Sequence, residues 1–230
     1  MKNHRKMVVI SLGGSLIVPE NMDLKFLRNF KKVIKKNTKN YKFVIVCGGG
    51  SVARKYINAL NEEGKSEYLQ SLAGIAITRV NARFMSYFFG FDPEFGIPHD
   101  MKHVENLLKK HDIIFCGALR YAPNQTSDAT ACRLAAYLKS DFINLTNVKG
   151  LYDKNPLKYK NARFIPETTR ENLEKIMKQI EQKPGMHGPV DHTAMQIIKK
   201  NKIKVFIVGN NANQLDNLLN NKPFIGTKID

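Results

Sequence analysis

The sequence predicts an α/β protein whose mainly parallel sheet is covered by helices on both faces. Three observations lead there. Short segments are apolar at nearly every position, as in residues 7–12 (MVVISL) and 43–47 (FVIVC). These segments alternate with stretches of helical periodicity. Glycines gather where the apolar segments end: Gly13-Gly14, Gly48-Gly49-Gly50, Gly117 and Gly209. A strand apolar on both faces is covered on both, the signature of parallel sheets in alternating α/β chains. In such sheets ligands bind beyond the carboxyl ends of the strands.

The elements follow in order. Residues 7–12 are a buried strand entering a tight turn at Gly13-Gly14. Residues 23–36 place Leu24, Phe26, Leu27, Phe30, Val33 and Ile34 near helical spacing behind Asp23, a helix-capping residue. Residues 43–47 form the second strand, 51–62 a helix, and 68–89 one long or broken helix. Residues 113–116 form the third strand, followed by a loop with Pro123 and Asn124. Thr126 or Ser127 then caps a helix over 128–139. Residues 142–145 are the fourth strand, 157–166 a hairpin or loop, and 169–180 a helix. A Gly/Pro-rich loop at 183–189 precedes a helix at 191–200 and a core strand at 205–208. A short helix at 214–219 and a terminal strand within 223–230 close the chain.

Composition excludes several classes. No apolar run approaches the roughly 18 residues a membrane span needs. The basic start, residues 1–6, is not followed by a signal-like apolar segment, so a cytoplasmic protein is expected. Cys47, Cys116 and Cys132 form no CxxC pair and lie in apolar segments, as buried core thiols do. The net charge of +17 comes from lysines spread along many predicted helix faces. That pattern is a solvated surface rather than the aromatic-interleaved basic stripe of a nucleic-acid binder. A single domain is expected, with a soft division around residues 160–185.

Four constellations carry chemistry. Two strand–glycine–helix junctions let backbone N–H groups approach an anion at a helix start, although neither has the GxxxxGK[ST] or GxGxxG spacing. Arg54 follows Gly50 by one helical turn, within reach of the same anion, or is an ordinary surface arginine. Residues 123–129 (PNQTSDA) combine helix-capping hydroxyls with Asp128, which serves a metal or the helix dipole. Residues 146–156 (TNVKGLYDKNP) place a threonine and an aromatic directly after a strand, suited to a nucleoside or to a plain turn.

Taken together, these motifs resemble the amino-acid kinase superfamily and, within it, the archaeal-type UMP kinases. The resemblance rests on Gly13 to Asn21, Gly49 to Tyr56, Gly74-Ile75 with Thr78 to Ala82, Thr126 to Ala129, Thr146 to Pro156, and Pro189-Val190-Asp191 before a helix. It implies a three-layer αβα sandwich, usually assembled as a hexamer, that transfers phosphate from Mg-ATP to UMP. By position, Ser11, Leu12, Gly13, Gly14 and Ser15 would line the transferred phosphoryl group, and Gly50 and Arg54 would meet phosphates. Thr146, Tyr152 and Asn155 would frame the ATP base and sugar. Gly49, Ser71, Ala118, Leu119, Arg120, Pro123, Asn124, Gln125 and Thr126 would surround UMP. Gly13, Gly14, Ser15, Arg54 and Asp128 would form the catalytic set, with Mg2+ on the ATP phosphates and no direct protein ligand. Residues up to about 165 would bind the acceptor and form oligomer contacts, and those from about 140 onward would bind ATP.

The sequence departs from the family pattern at specific points. Ser11 stands where many members carry a basic residue, so Lys6, Arg120, Lys149 or Lys154 would supply the cation. The family's acceptor-ribose carboxylate would align near Ser71, so that contact is missing or replaced here. Lys149 and Asn155 replace common acidic residues, and the loop from Gly117 to Asp128 is longer and less glycine-rich. Alternatives that keep the fold are another phosphorylated acceptor, such as isopentenyl phosphate, and a non-catalytic nucleotide-binding member. Cys47, where isopentenyl phosphate kinases place a histidine, argues against the former.

Overall fold

The computed structural model describes residues 5–121, 126–181 and 190–230. Parallel pairing dominates because each strand returns through a crossover helix. The chain runs β1 (Lys6–Leu12), α1 (Gly14–Ile17), α2 (Leu24–Asn37), β2 (Tyr41–Cys47), α3 (Gly50–Glu62), α4 (Glu67–Phe89), α5 (Met101–Lys110), β3 (Ile113–Cys116), α6 (Ser127–Leu138) and β4 (Asp141–Leu145). It continues through β5 (Leu151–Tyr152), β6 (Phe164–Ile165), β7 (Glu167–Thr168), α7 (Arg170–Glu181), α8 (His192–Asn201), β8 (Val205–Val208), α9 (Ala212–Leu219) and β9 (Gly226–Ile229).

The central sheet has the order β3-β2-β1-β4-β8-β9-β7. Strands β3, β2, β1, β4 and β8 are mutually parallel, so all five carboxyl ends meet one edge. Strand β9 returns antiparallel beside β8. Side chains alternate across the pleat. Val8, Ile10 and Leu12 therefore join Phe30, Met85 and Phe89 from α2 and α4 on one side. Val9, Val44 and Phe142 join Leu134, Met195 and Ile198 from α6 and α8 on the other. The result is the expected αβα sandwich.

Local chemistry sets the helix boundaries. Asp23 accepts from the Phe26 N–H at 2.9 Å and caps α2. That helix buries Phe26, Leu27, Phe30, Val33 and Ile34 along one face. Removing such a cap costs about 1 kcal/mol. Thr126, rather than Ser127, caps α6 by accepting from the Ala129 N–H at 3.0 Å. Helix α4 is unbroken and stops at Gly90, whose φ of +81° is open to glycine at little cost. The 157–166 stretch supplies one strand of a small antiparallel pair, Leu151 opposite Ile165 and Tyr152 opposite Phe164.

Two α-helices, together with the short strands β5 and β7, were not anticipated from the pattern. The chain leaves β1 directly into the single turn α1, where a plain tight turn was expected. Helix α5 is capped by Asp100, which accepts from the His103 N–H at 2.8 Å, and it buries Val104 and Leu108. The 183–189 loop and Pro189 lie outside the described residues. Among the described residues, no helix is long and apolar enough to cross a membrane.

Candidate active site at the glycine-turn edge of the sheet

The turns after β1 and β2 pack backbone against backbone. A Cβ on Gly14 would lie 2.1 Å from the Gly50 nitrogen, and one on Gly48 would lie 2.7 Å from the Gly14 nitrogen. Gly50 adds a φ of +64°, which a side chain would strain. The Gly13 N–H donates to the Leu145 carbonyl at 3.1 Å, and the Gly48 N–H to the Leu12 carbonyl at 2.9 Å. These bonds lock both turns onto the ends of β4 and β1. No side chain caps α3, whose N-cap is Gly49. Its first N–H groups therefore face outward beside the start of α1, a site for anionic oxygens.

Behind the turns lies a polar pair. Ser11 is buried on β1, and its Oγ donates to Asp128 Oδ1 on α6 at 2.6 Å. Asn144, also buried, is the register partner of Ser11 on β4. Burial pushes the Asp128 carboxyl up to about 6, the Ser11 hydrogen bond opposes the rise, and the nearby Asp191 carboxylate adds to it. Asp191 caps α8 by accepting from the Ala194 N–H at 3.0 Å, and it also accepts from the Thr126 hydroxyl. Two carboxylates thus converge with no cation paired to Asp128 among the described side chains.

Where the acceptor was expected, beside the start of α4, lies a cavity of about 470 Å3 lined by Glu67, Gln70, Ser71, Tyr121, Thr126 and Asp191, among others. Helix α4 builds its wall. The Asn81 Nδ2 donates to the Gly48 carbonyl at 2.7 Å, and the Ala118 N–H donates to Thr78 Oγ1 at 2.9 Å. The Arg79 guanidinium holds the Ala118 and Leu119 carbonyls. One helix therefore fixes both the β2 turn and the segment after β3. A mainly apolar cavity of about 350 Å3 lies near the start of β3 and includes Phe91, Phe95 and Phe115; the glycine turns line neither it nor the cavity beside Ser71.

The structure brings Ser11, Leu12, Gly13, Gly14, Ser15, Gly49, Gly50 and Asp128 together at this edge. Arg54 projects from the first turns of α3, exposed and without a partner among the described residues. Ser71 and Thr126 line the same cavity beside α4. Ala118 and Leu119 are buried, and their backbone groups are taken up by Thr78 and Arg79 of α4. Thr146, Tyr152 and Asn155 follow β4, and the Thr146 N–H donates to the Val208 carbonyl at 3.0 Å. Pro123, Asn124 and Gln125 lie outside the described residues.

Two of the expected replacement cations do not fit. Lys6 begins β1, five residues before Ser11, so about 16 Å of strand separates them. Arg120 turns onto Asp100 at 3.4 Å, outside the cavity that Ser71 and Thr126 line. Lys149 packs against Gly209 at the end of β8, and Lys154 lies over the Tyr159 ring. Both stay beyond the carboxyl ends of the strands.

The residue pattern of the amino acid kinase family matches residues 6–209. The chain belongs to the amino acid kinase family. It is 36% identical over 203 residues to a uridylate kinase of Thermococcus kodakarensis, covering 88% of this chain and 89% of that one. A uridylate kinase of Methanobrevibacter smithii is 31% identical over 225 residues, covering 96% and 98%. The crystal structure of the Archaeoglobus fulgidus uridylate kinase superposes with a TM-score of 0.82 at 31% identity, covering 97% and 99%. An isopentenyl phosphate kinase structure, at 16% identity and a TM-score of 0.67, shares the fold.

In this amino acid kinase, Asp191 and the α4 triad of Thr78, Arg79 and Asn81 shape the site, yet residue pattern alone assigned them no role there. The Val190-Asp191 start of a helix was the available signal. What a buried amide or guanidinium holds is set by tertiary contact, which no local spacing reveals.

Proposed function

We propose that this chain is a UMP kinase, transferring the γ-phosphoryl group of Mg-ATP to the phosphate of UMP. The observation that carries the reading is the abutment of the two glycine turns, Gly14 against the Gly50 backbone, above the Ser11–Asp128 pair. The uridylate kinases similar over nearly its whole length support the acceptor. Enzymes that move a phosphoryl group between two anions need positioning and charge neutralisation more than a strong base.

In the transfer, an oxygen of the UMP phosphate forms a bond to the γ-phosphorus while the bond to the β,γ-bridging oxygen breaks, leaving UDP and ADP. The backbone N–H groups of the two turns receive the equatorial oxygens, and Arg54 clamps the acceptor phosphate. Thr126 and Ser71 face the acceptor nucleoside, and Thr146, Tyr152 and Asn155 the donor. Asp128 orients Ser11 and offers negative charge near the phosphates.

Two converging acids, Asp128 raised partly by Asp191, suit a nearby divalent cation. No cluster of three metal-ligating side chains exists among the described residues. Magnesium, which supplies charge neutralisation when bound with ATP, would be held mainly by phosphates and water, with Asp128 nearby. The remaining cation need falls to Lys149 or Lys154.

The same reading places the protein in the cytoplasm and in pyrimidine nucleotide synthesis. The acceptor-binding part lies within residues 1–165, the ATP-binding part lies within 140–230, and the subunits assemble as a homohexamer. Support for self-association comes from α4, whose Leu69, Leu72, Ala76, Val80 and Tyr87 form an exposed stripe at helical spacing.

A coupled ADP-release assay tests the function, with UMP, CMP, AMP, GMP and isopentenyl phosphate offered in turn. Turnover confined to UMP is expected. Turnover with isopentenyl phosphate instead would reassign the acceptor, and ATP binding without any turnover would make the chain a non-catalytic member.

A further inference from the structure

We propose that Asn81, on the buried face of α4, is a positioning residue for the transfer and aims the Gly49 N–H at the transferring phosphoryl group. Its role rests on the kinase reading and is exerted through the backbone of the β2 turn.

The place where β2 and β3 part shows why a side chain is needed there. Their parallel pairing ends at Val46 opposite Cys116. Beyond that pair the backbone groups of the two chains need other partners. Helix α4 enters the opening. A Cβ on Gly117 would lie 2.6 Å from the Arg79 backbone nitrogen, and one on Gly49 would lie 3.5 Å from the Thr78 methyl. Thr78 and Asn81 then take the places of the missing rungs. The Ala118 N–H donates to Thr78 Oγ1 at 2.9 Å, and the Thr78 hydroxyl donates to the Ile75 carbonyl at 2.7 Å. Asn81 Nδ2 donates to the Gly48 carbonyl at 2.7 Å. A carbonyl only accepts, so the nitrogen of the amide is the atom that faces it.

This last bond sets a direction. The Gly48–Gly49 peptide is trans, and in a trans peptide the C=O and the N–H point opposite ways in one plane. Holding the Gly48 carbonyl on Asn81 therefore turns the Gly49 N–H away from that side chain. The Gly49 N–H has no hydrogen-bond partner among the described residues, and it extends the row of open N–H groups at the start of α3. Gly48 itself lies against the Gly14 nitrogen, so this donor stands where the two turns converge. Neither glycine has a side chain to hold the peptide, and glycine is the residue with the widest backbone freedom. Asn81 supplies the restraint. It is only 5% exposed, and a buried amide is costly unless it is paired.

Steady-state kinetics of Asn81→Ala and Asn81→Asp test the role, with calorimetric ATP stoichiometry counting the folded sites. Asn81→Ala removes the donor at every pH without adding bulk. Its kcat per site should fall about a hundredfold while both KM values stay within about threefold. Asn81→Asp loses the donor only when it is ionised. Burial raises such a carboxyl, and the protonated acid again donates to the Gly48 carbonyl. Its kcat relative to the unaltered enzyme should therefore climb as pH falls from about 8 to about 6, whereas that of Asn81→Ala stays flat. A residue that only packs α4 would change the number of ATP sites and leave kcat per site intact. A kcat per site within about threefold of the unaltered enzyme in Asn81→Ala, or a flat ratio in a folded Asn81→Asp, would overturn the role. Should Asn81→Asp fail to fold, Asn81→Ala decides alone. The unaltered protein tests the kinase reading separately. Turnover of another acceptor moves the same comparison to that acceptor, and no turnover of any acceptor overturns the reading and the role together.

Discussion

Ser11 Oγ donates to Asp128 Oδ1 at 2.6 Å and so joins the carboxyl end of β1 to the first turn of α6. The bond has a consequence for charge. A hydroxyl satisfies one lone pair of the carboxylate but brings no positive charge, and Asp191 stands close by. The protein therefore holds an acid that its own fold makes reluctant to ionise.

Asp128 should make stability fall as pH rises from about 4 to about 6. Its carboxyl titrates near 6 in the folded chain against an ordinary 3.8. The folded state thus keeps a proton that the unfolded chain has released. The stabilisation from that proton is complete below pH 4 and is lost as pH passes 6. Asp128→Asn removes the penalty and should stabilise the free protein by about 1–3 kcal/mol at pH 7.5, and by little at pH 4. The same variant should turn over poorly. Urea unfolding of both proteins at the two pH values decides the matter, and an advantage independent of pH would reject it.

Much of this arrangement was legible in the residues. The apolar strands at 43–47, 113–116, 142–145 and 205–208 fall within the observed strands because a segment buried on both faces has few alternatives. Asp23 and Thr126 cap their helices where a capping residue precedes a periodic run. Helix α5 carried the same signals, Asp100 ahead of Val104 and Leu108, but a charged face of His and Lys diluted the pattern. The glycine turns were visible as turns, whereas their contact with each other was not. Contacts between residues 14 and 50, or between 11 and 128, depend on sheet order, which composition does not encode. The Lys6 expectation failed for the same reason, since a strand carries its two ends to opposite edges of the sheet.

Gly14→Ala should abolish more than it destabilises. The new methyl would lie 2.1 Å from the Gly50 nitrogen and 2.6 Å from the Gly49 carbonyl carbon, so the turns must separate. Overpacking of this kind costs about 1–3 kcal/mol. Displacing both sets of N–H donors by about 1 Å should cost roughly a hundredfold in turnover. Gly64→Ala is the matched control, with a φ of +65° but open space around it. It should cost stability and leave turnover unchanged. Equal kinetics in the two variants would mean that the glycine contact is merely structural.

Arg54→Ala separates binding from folding. The side chain is exposed and has no partner among the described residues, so stability should change by less than about 0.5 kcal/mol. Loss of a charge-assisted clamp on the acceptor phosphate should raise the KM for UMP by about 10–100-fold while the KM for ATP moves little. Arg54→Lys should recover only part of the loss, because an ammonium cannot match the planar fork. A variant with both KM values unchanged would remove Arg54 from the acceptor site.

Val80→Glu tests whether the α4 stripe joins subunits. Val80 is 60% exposed, with Ala76 one turn before it and Tyr87, 46% exposed, two turns after it on the same face. An apolar stripe of this length on a helix already packed by its other face has no use within one subunit. Around a two-fold axis the stripe would meet its own copy, so a single substitution introduces two carboxylates at one contact. The subunit should fold as before, since the side chain points to solvent in the single chain. The mass measured by light scattering should fall to that of a smaller assembly. An unchanged mass would place the subunit contacts on another face and leave the exposed stripe without a partner of its own kind.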